Sequence, residues 1–214
     1  MVTDVGGHGR RTAPEGNDDD MERELAELLR ELEEFGEAND RATAERDRRM
    51  LNITHDTGVL LTVLLRNGRC RDVLEVGTSN GYSTLWLAHA VGAEGHVTTV
   101  ERAPHKRAMA EENFRRSGLA PRIRQIAGDA GEFLASSASG AYDFVFLDSE
   151  RGEYAGWWPD LWRVLRPGRL LVVDNAVSHA DELKDFVRLV EGTEGCVSSL
   201  LPVGKGELVI LKEG

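Results

Sequence analysis

The sequence contains little cysteine and no long apolar run. Its two cysteines, Cys70 and Cys196, lie far apart and outside any Cys-x-x-Cys pair, so neither a disulfide framework nor a zinc site is predicted. No apolar stretch approaches the roughly 18 residues of a membrane span, and the first residues lack the apolar segment of a secretory signal. We therefore expect a cytoplasmic protein with reduced thiols and no membrane partner.

An excess of basic residues is also missing. The formal net charge is −11, and no basic patch is interleaved with aromatic residues, so a nucleic-acid partner is not expected. The 214 residues, of which 41% are hydrophobic, suffice for one domain with a sizeable core and a small appendage.

The N-terminal part of the chain divides into a tail and a helix. Residues 1–20 have almost nothing to bury and are expected to be disordered. Residues 21–50 form a charged helical appendage, which Gly36 could interrupt. Its apolar residues recur at helical spacing and form one stripe: Leu25, Leu28, Leu29, Leu32 and Phe35. The stripe could pack on the following domain, or it could join two copies of the chain in a homodimer.

Strands and helices alternate through residues 51–214, which form the predicted catalytic domain. The predicted strands are 73–76, 97–101, 123–127, 142–148 and 170–174, followed by a hairpin of 197–203 and 207–211. The predicted helices are 57–66, which is expected to be largely buried, 82–91, 103–117, 130–135, 154–165 and 179–191. This order predicts an α/β fold with a mainly parallel seven-stranded sheet, helices on both faces and an antiparallel C-terminal hairpin.

Polar residues follow the predicted strands where each strand ends. They are Glu75 to Gly81, Glu101, Gly128 and Asp129, Asp148, and the pair Asp174 and Asn175. A carboxylate that closes an apolar strand is costly to bury without a partner. Since ligands of open α/β sheets bind outside the carboxyl ends of the strands, these residues predict a functional site at one sheet edge.

The spacing of the glycines distinguishes between two adenosine-containing ligands. Glu101 lies 24 residues after Gly77, at the end of the next strand, where a carboxylate can accept hydrogen bonds from both hydroxyls of a ribose. A dinucleotide turn has the spacing G-x-G-x-x-G, whereas this turn has Gly77 and Gly81 with Ser79 between them. The looser turn favours an adenosyl ligand without a pyrophosphate, and Asp129 suits its adenine amino group.

These residues resemble the class I S-adenosylmethionine-dependent methyltransferases, and more narrowly the cation-dependent O-methyltransferases of the catechol and caffeoyl-CoA type. The resemblance rests on Glu75-Val76-Gly77-Thr78-Ser79-Asn80-Gly81-Tyr82-Ser83, Val100-Glu101, Gly128-Asp129-Ala130 and Asp174-Asn175, and it covers about residues 51–212. It implies a Rossmann-like fold and a small-molecule acceptor.

The resemblance also assigns cofactor-binding roles by position. The turn residues Glu75, Gly77, Ser79 and Gly81, together with Ser83, would hold the methionine part of S-adenosylmethionine. Glu101 would hold the ribose, Ala130 would lie near the adenine, and the segment 51–53, which includes Ile53, would cover the cofactor.

A divalent cation is implied at the ends of the fourth and fifth strands. The resemblance places its ligands at Asp148, Asp174 and Asn175, and such oxygen ligands suit Mg²⁺. The bound cation would lower the pKa of an acceptor hydroxyl, which for a free phenol is about 10.

One position departs from the family pattern. The family has a basic lysine three residues after the strand-4 aspartate, where this chain has Arg151. Arginine stays protonated and cannot act as a base, although it could stabilise an oxyanion or pair with an acceptor carboxylate. His55, His179 or Glu150 could replace the lysine as the base, or the reaction needs no base.

The tryptophans of the predicted helix 154–165 have different expected places. Trp157 or Trp158 could form a wall of the acceptor pocket, whereas Trp162 is expected in the core.

The sequence therefore predicts a cation-assisted O-methyltransferase, with Asp148, Arg151 and His55 as catalytic candidates. The alternatives are a metal-independent methyltransferase of the same fold that acts on another nucleophile, a nucleotide-binding oxidoreductase, and a cofactor-binding scaffold without activity.

Overall fold

The computed structural model describes residues 16–214 and describes side chains from residue 22 onward. Its helices are α1 (Gly16–Ala42), α2 (His55–Gly68), α3 (Tyr82–Ala90), α4 (Pro104–Arg116), α5 (Ala130–Ser136), α6 (Tyr154–Val164) and α7 (Lys184–Glu191). Its strands are β1 (Asp72–Val76), β2 (His96–Glu101), β3 (Ile123–Ala127), β4 (Tyr142–Leu147), β5 (Leu165–Val173), β6 (Cys196–Leu201) and β7 (Glu207–Lys212).

One seven-stranded sheet has the strand order β3-β2-β1-β4-β5-β7-β6. Strands β1 to β5 pair in parallel, and β7 runs antiparallel between β5 and β6. The predicted fold class, including the C-terminal hairpin, is confirmed. The chain winds outward in one direction from β1 to β3 and in the other from β4, so a crevice is expected outside the carboxyl ends of β1 and β4.

Helices cover both faces of the sheet, and each face has its own apolar core. Successive residues of a strand point to opposite faces, so Val73 joins the core beneath α1 to α4 and Leu74 joins the core beneath α5 to α7. Because both faces are buried, β4 is an uninterrupted apolar run from Phe144 to Leu147.

Helix α1 differs from its predicted bounds. It begins at Gly16, inside the predicted tail, continues through Gly36 without a break and ends at Ala42, before the predicted end near residue 50. One glycine costs a helix only about 1 kcal/mol, which the packing of α1 offsets. The four leucines of the stripe, Leu25, Leu28, Leu29 and Leu32, are each at most 8% exposed and join the core beneath α1 to α4. The rest of the predicted tail, residues 1–15, lies outside the described part of the chain.

The apolar stripe of α1 is therefore used within its own chain. Phe35, at the end of the stripe, is 43% exposed and does not share that burial. This agrees with the alternative in which the helix packs on the domain, and the homodimer stays a prediction.

Helix α2 is amphipathic rather than largely buried. Leu61 and Leu65 face the core, whereas Val59 and Val63 are 41% and 57% exposed. The helix begins at His55, two residues before its predicted start, and the Thr57 N–H donates to the hydroxyl oxygen of the N-cap Thr54 at 3.2 Å.

Strand β5 begins earlier than predicted, at Leu165, and includes Pro167. Leu165 pairs with Tyr142 and Leu170 pairs with Phe144, so the intervening residues leave the register, as expected where a proline cannot donate to the ladder.

Helix α7 begins later than predicted, at Lys184.

Trp162, which was predicted to lie in the core, is half-buried and packs against the core beneath α5 to α7, and the Lys212 Nζ lies 5.1 Å from its ring centre. No helix within residues 16–214 has both the length and the apolar character needed to cross a bilayer.

Candidate active site

A cavity of about 710 Å³ lies outside the carboxyl ends of the first four strands. The predicted site residues that line it are Gly77, Ser79, Glu101, Asp129, Ala130, Asp148 and Arg151. Trp157 forms part of its wall, as one alternative predicted, whereas Trp158 packs in the core. The fold thus brings together polar groups from four separate loops at the predicted edge.

The glycine turn between β1 and α3 depends on backbone conformations that favour glycine. Gly77 has a φ of +106°, and a Cβ there would overlap the backbone carbonyl oxygen of Asp148. Gly81 has a φ of +88°, and a Cβ there would press on the Phe114 ring of α4. Ser79 takes a left-handed φ of +47° although it is not a glycine. The turn therefore approaches its neighbours too closely for other side chains at its two glycines.

Glu101 anchors this turn to β2. Its Oε2 accepts a hydrogen bond from the Ser79 N–H at 3.0 Å, and its Oε1 accepts one from the Ala103 N–H at 2.9 Å. Each carboxylate oxygen has a second lone pair, so Glu101 can still accept from a ligand in the cavity. Asp129 caps α5 by accepting from the Glu132 N–H at 3.0 Å and is otherwise exposed at the cavity.

The three predicted metal ligands meet at the ends of β4 and β5. The Asn175 side-chain amide donates to Asp174 Oδ2 at 2.5 Å and to Asp148 Oδ1 at 3.3 Å. Asp174 is 1% exposed, and Asn175 has a left-handed φ of +66° that directs the chain away from the strand. One amide group therefore holds two carboxylates side by side.

The proximity of these carboxylates perturbs Asp148. Burial raises the pKa of Asp148 to about 8, and the neighbouring charge of Asp174 adds to that rise. Lys205 and Arg151 act in the opposite direction. A bound cation would relieve the same repulsion, so the two carboxylates and the amide are a donor set of the right chemistry for a hard divalent ion. Among the described side chains, no three or more His, Cys, Asp or Glu residues form a group that could hold a metal.

Comparison with known proteins assigns the family. A model of the O-methyltransferase family matches residues 21–187. The chain is 34% identical over 125 residues to the catechol O-methyltransferase of Mycobacterium tuberculosis, with 58% of this chain and 57% of that protein covered. It is 31% identical over 137 residues to the catechol O-methyltransferase of Niastella koreensis, with 63% and 62% covered. The chain thus spans about three fifths of the length of each of these two relatives.

The chain belongs to the O-methyltransferase family. It is a methyltransferase dependent on S-adenosylmethionine. The fold agrees, because a Bacillus cereus O-methyltransferase in complex with S-adenosylhomocysteine matches it with a TM-score of 0.74 at 22% identity over 87% of this chain and 91% of that one.

Two predicted cofactor-binding residues of the methyltransferase lie beneath the turn rather than on the cavity wall. Glu75 is fully buried, and its carboxylate accepts hydrogen bonds from Ser83 at 2.6 Å, from Thr99 at 2.6 Å and from Thr84. Burial raises the pKa of Glu75 to about 7, although the three hydroxyls oppose that rise. Glu75 and Ser83 therefore contact each other, and the prediction that they touch the cofactor stays untested.

The segment before α2 covers the cavity slightly earlier in the chain than predicted. Met50 and Leu51 line the cavity, whereas Ile53 is 3% exposed and packs in the core. The Asp40 carboxylate holds this segment by accepting from the Met50 and Leu51 N–H groups at 2.7 and 2.8 Å. The Ser79 hydroxyl donates to the Met50 carbonyl at 2.7 Å, which joins the segment to the glycine turn.

The histidine predicted to act in catalysis lies elsewhere. His55 is exposed, and its ring packs edge-on against Trp86 of α3 at 5.3 Å, away from the residues that line the cavity. His179 is half-buried and hydrogen-bonds to Ser178, and burial together with Arg151 lowers its pKa. Among the replacement bases considered, Glu150 is the one that lines the cavity.

Sequence reasoning missed Glu207, the first residue of β7. It is fully buried, and its Oε1 accepts from the Thr57 hydroxyl at 2.8 Å. Its Oε2 has no hydrogen-bond partner within the described residues, and burial beside Asp174 raises the pKa of Glu207 to about 9. A carboxylate at the start of an apolar strand was the available signal, but nothing in the sequence linked it to Asp174.

Proposed function

We propose that this methyltransferase transfers the methyl group of S-adenosylmethionine to a hydroxyl oxygen of a small molecule, with help from a divalent cation such as Mg²⁺. The observation that carries the proposal is the Asn175 amide shared by the carboxylates of Asp148 and Asp174. Asp148 also lines the cavity that the glycine turn borders. A cation at these oxygens would therefore lie beside the cavity that holds the methyl donor.

The cofactor would be held mainly by backbone and by one carboxylate. Gly77 and Ser79 line the cavity on the turn side, and Glu101 presents a carboxylate for the ribose hydroxyls. Ala130 and Asp129, at the start of α5, border the part where the adenine is expected. When bound, S-adenosylmethionine supplies an electrophilic methyl group and leaves as S-adenosylhomocysteine.

The cation would be held by Asp148, Asp174 and Asn175 and would lower the pKa of a coordinated hydroxyl. The carboxylates of the half-buried Asp148 and the buried Asp174 share one amide, and two carboxylates so close repel each other unless a cation or a proton separates them. Burial is the main cause of the raised pKa of Asp148, and the charge of Asp174 adds to it.

The acceptor proton has two candidate destinations on this chain. Glu150 lines the cavity and is exposed, with the Arg102 Nη2 3.5 Å from its Oε1. His179 is the second candidate, although it is not among the residues that line the cavity, and burial together with Arg151 lowers its pKa. Arg151 contributes positive charge beside Asp148 and does not accept the proton.

A titration combined with a transfer assay tests the proposal. Calorimetric titration with S-adenosylhomocysteine, with and without Mg²⁺, should show binding, and methyl transfer to catechol should fall when excess chelator is added. Transfer that persists undiminished in chelator would support a metal-independent methyltransferase. Cofactor binding without transfer to any hydroxylated acceptor would indicate an inactive scaffold. Tight binding of NAD without binding of S-adenosylhomocysteine would overturn the proposal.

Three further properties belong to the proposal and not to the family assignment. They are a homodimeric state, a cytoplasmic location and the lack of a nucleic-acid partner, and the net charge of −11 supports the last of these.

A further inference from the structure

Arg151 is a buried cation at the edge of the cavity. It begins the short 3-10 turn that follows β4, its side chain is only 5% exposed, and it lines the cavity three residues beyond Asp148. A charge removed from water needs a partner to offset the loss of hydration. The ionic partner of Arg151 is Glu182, whose Oε2 lies 3.1 Å from the Arg151 Nε.

This ion pair leaves most N–H donors of the guanidinium without a hydrogen bond to the described residues. The group has five N–H donors, and the terminal nitrogens provide four of them. Among the described residues, the bond from Nε to Glu182 is the one hydrogen bond that the Arg151 side chain makes. Glu182 is also half in solvent, with its side chain 51% exposed, so it offsets the buried charge only in part. A planar fork of this kind matches a carboxylate in two-point contact.

The neighbouring wall has two features that fit an aromatic acid. The Ser149 hydroxyl is buried, lines the cavity and has no hydrogen-bond partner within residues 22–214. Trp157 adds a flat apolar surface to the same wall. Of the acidic residues on this side, Glu150 and Glu153 are exposed to solvent, so their charges are screened more than that of Arg151, and Asp148 is a carboxylate that would hold the cation.

We infer that Arg151 determines acceptor specificity by pairing with a carboxylate on the acceptor, so that the preferred substrates are aromatic hydroxy acids. The inference rests on the proposed function, since it places the acceptor hydroxyl near Asp148. In this role the terminal nitrogens bind the carboxylate while Nε remains paired with Glu182. The guanidinium fork, which a lysine lacks, is then the reason for arginine at this position.

The test compares acceptors that differ in charge. For the unmodified protein, kcat/KM for dihydroxybenzoate should exceed that for catechol by about tenfold or more, and dopamine, which carries a positive charge, should be the poorest acceptor. In Arg151→Gln the ratio of dihydroxybenzoate to catechol should fall toward one, mainly through a higher KM for the acid. Arg151→Lys should give an intermediate ratio, because it keeps the charge and loses the fork.

Glu182→Gln is the matched control. If Arg151 serves only to pair with Glu182, this variant should lose the acid preference as Arg151→Gln does, whereas a carboxylate-binding Arg151 should keep it. Calorimetric binding of dihydroxybenzoate to the protein loaded with S-adenosylhomocysteine gives the same comparison without turnover. Methyl transfer with no preference for the acid, or no binding of the acid at all, would overturn the inference, while failure to bind S-adenosylhomocysteine would overturn the proposed function itself.

Discussion

The Ser83 hydroxyl donates to the Glu75 carboxylate at 2.6 Å beneath the glycine turn. Both residues were predicted to bind the cofactor, and the structure pairs them with each other. Their contact fixes the first turn of α3 against β1, so these two side chains support the loop that faces the cavity.

The buried Glu75 should make stability depend on pH. Its folded-state pKa of about 7 lies above the ordinary value of 4.5, so the folded protein holds a proton that the unfolded chain releases. The stability from this group is complete below about pH 4.5 and is lost as pH rises toward 7, by on the order of 3 kcal/mol. Glu75→Gln should remove this contribution to the slope of the free energy of unfolding against pH. Urea denaturation between pH 4.5 and 8 measures it, and an unchanged slope would contradict the assignment.

Gly77→Ala should destabilise the protein more than a substitution at another glycine of positive φ. Gly118 has a φ of +71°, and nothing lies within 4 Å of the position that a Cβ would take there. The loss of stability in Gly118→Ala therefore comes from the left-handed backbone alone and should be about 1–2 kcal/mol. Gly77→Ala adds the overlap with the Asp148 carbonyl, about 1–3 kcal/mol more. Denaturation curves give both values, and S-adenosylhomocysteine affinity should fall only for Gly77→Ala. Equal losses of stability in the two variants would argue against the close approach of Gly77 to the Asp148 carbonyl.

Asp174→Ala should abolish the response to Mg²⁺ and leave S-adenosylhomocysteine binding largely intact. The variant removes one of the two carboxylates that share the Asn175 amide, and we expect transfer to fall by about 10–100-fold or more. Asp185→Ala, on an exposed face of α7, is the control. Calorimetry with Mn²⁺ and with S-adenosylhomocysteine separates the two sites, and a Mg²⁺ response equal to that of the unmodified protein would exclude Asp174 as a ligand.

Leu32→Ala should cost about 2–5 kcal/mol of stability, because Leu32 is 4% exposed and packs in the core beneath α1. Phe35→Ala should cost less than about 0.5 kcal/mol, because Phe35 is 43% exposed. Thermal denaturation compares the two variants, and light scattering shows whether either changes the molecular mass. A large loss of stability for Phe35→Ala that depends on protein concentration would instead place α1 in a contact between two copies.

The order of the elements was predictable because its signals are local. Apolar runs and the turn around Gly77 and Gly81 lie within a few residues of the structure that they specify. The continuity of α1 and the start of β5 were less predictable, since Gly36 and Pro167 are tolerated where packing and a register shift compensate for them.

The sequence alone determined the α/β fold, the glycine turn after β1 and the carboxylates that end the strands, because each depends on neighbouring residues and on the rule that parallel strands end at one edge. Only the tertiary structure decided that Glu75 and Ser83 lie beneath the turn, that His55 lies away from the cavity, and that Glu207 lies beside Asp174. Thr57 and Glu207 are 150 positions apart and still share a hydrogen bond. Such contacts are set by how the helices and the sheet pack together, and no local pattern records them.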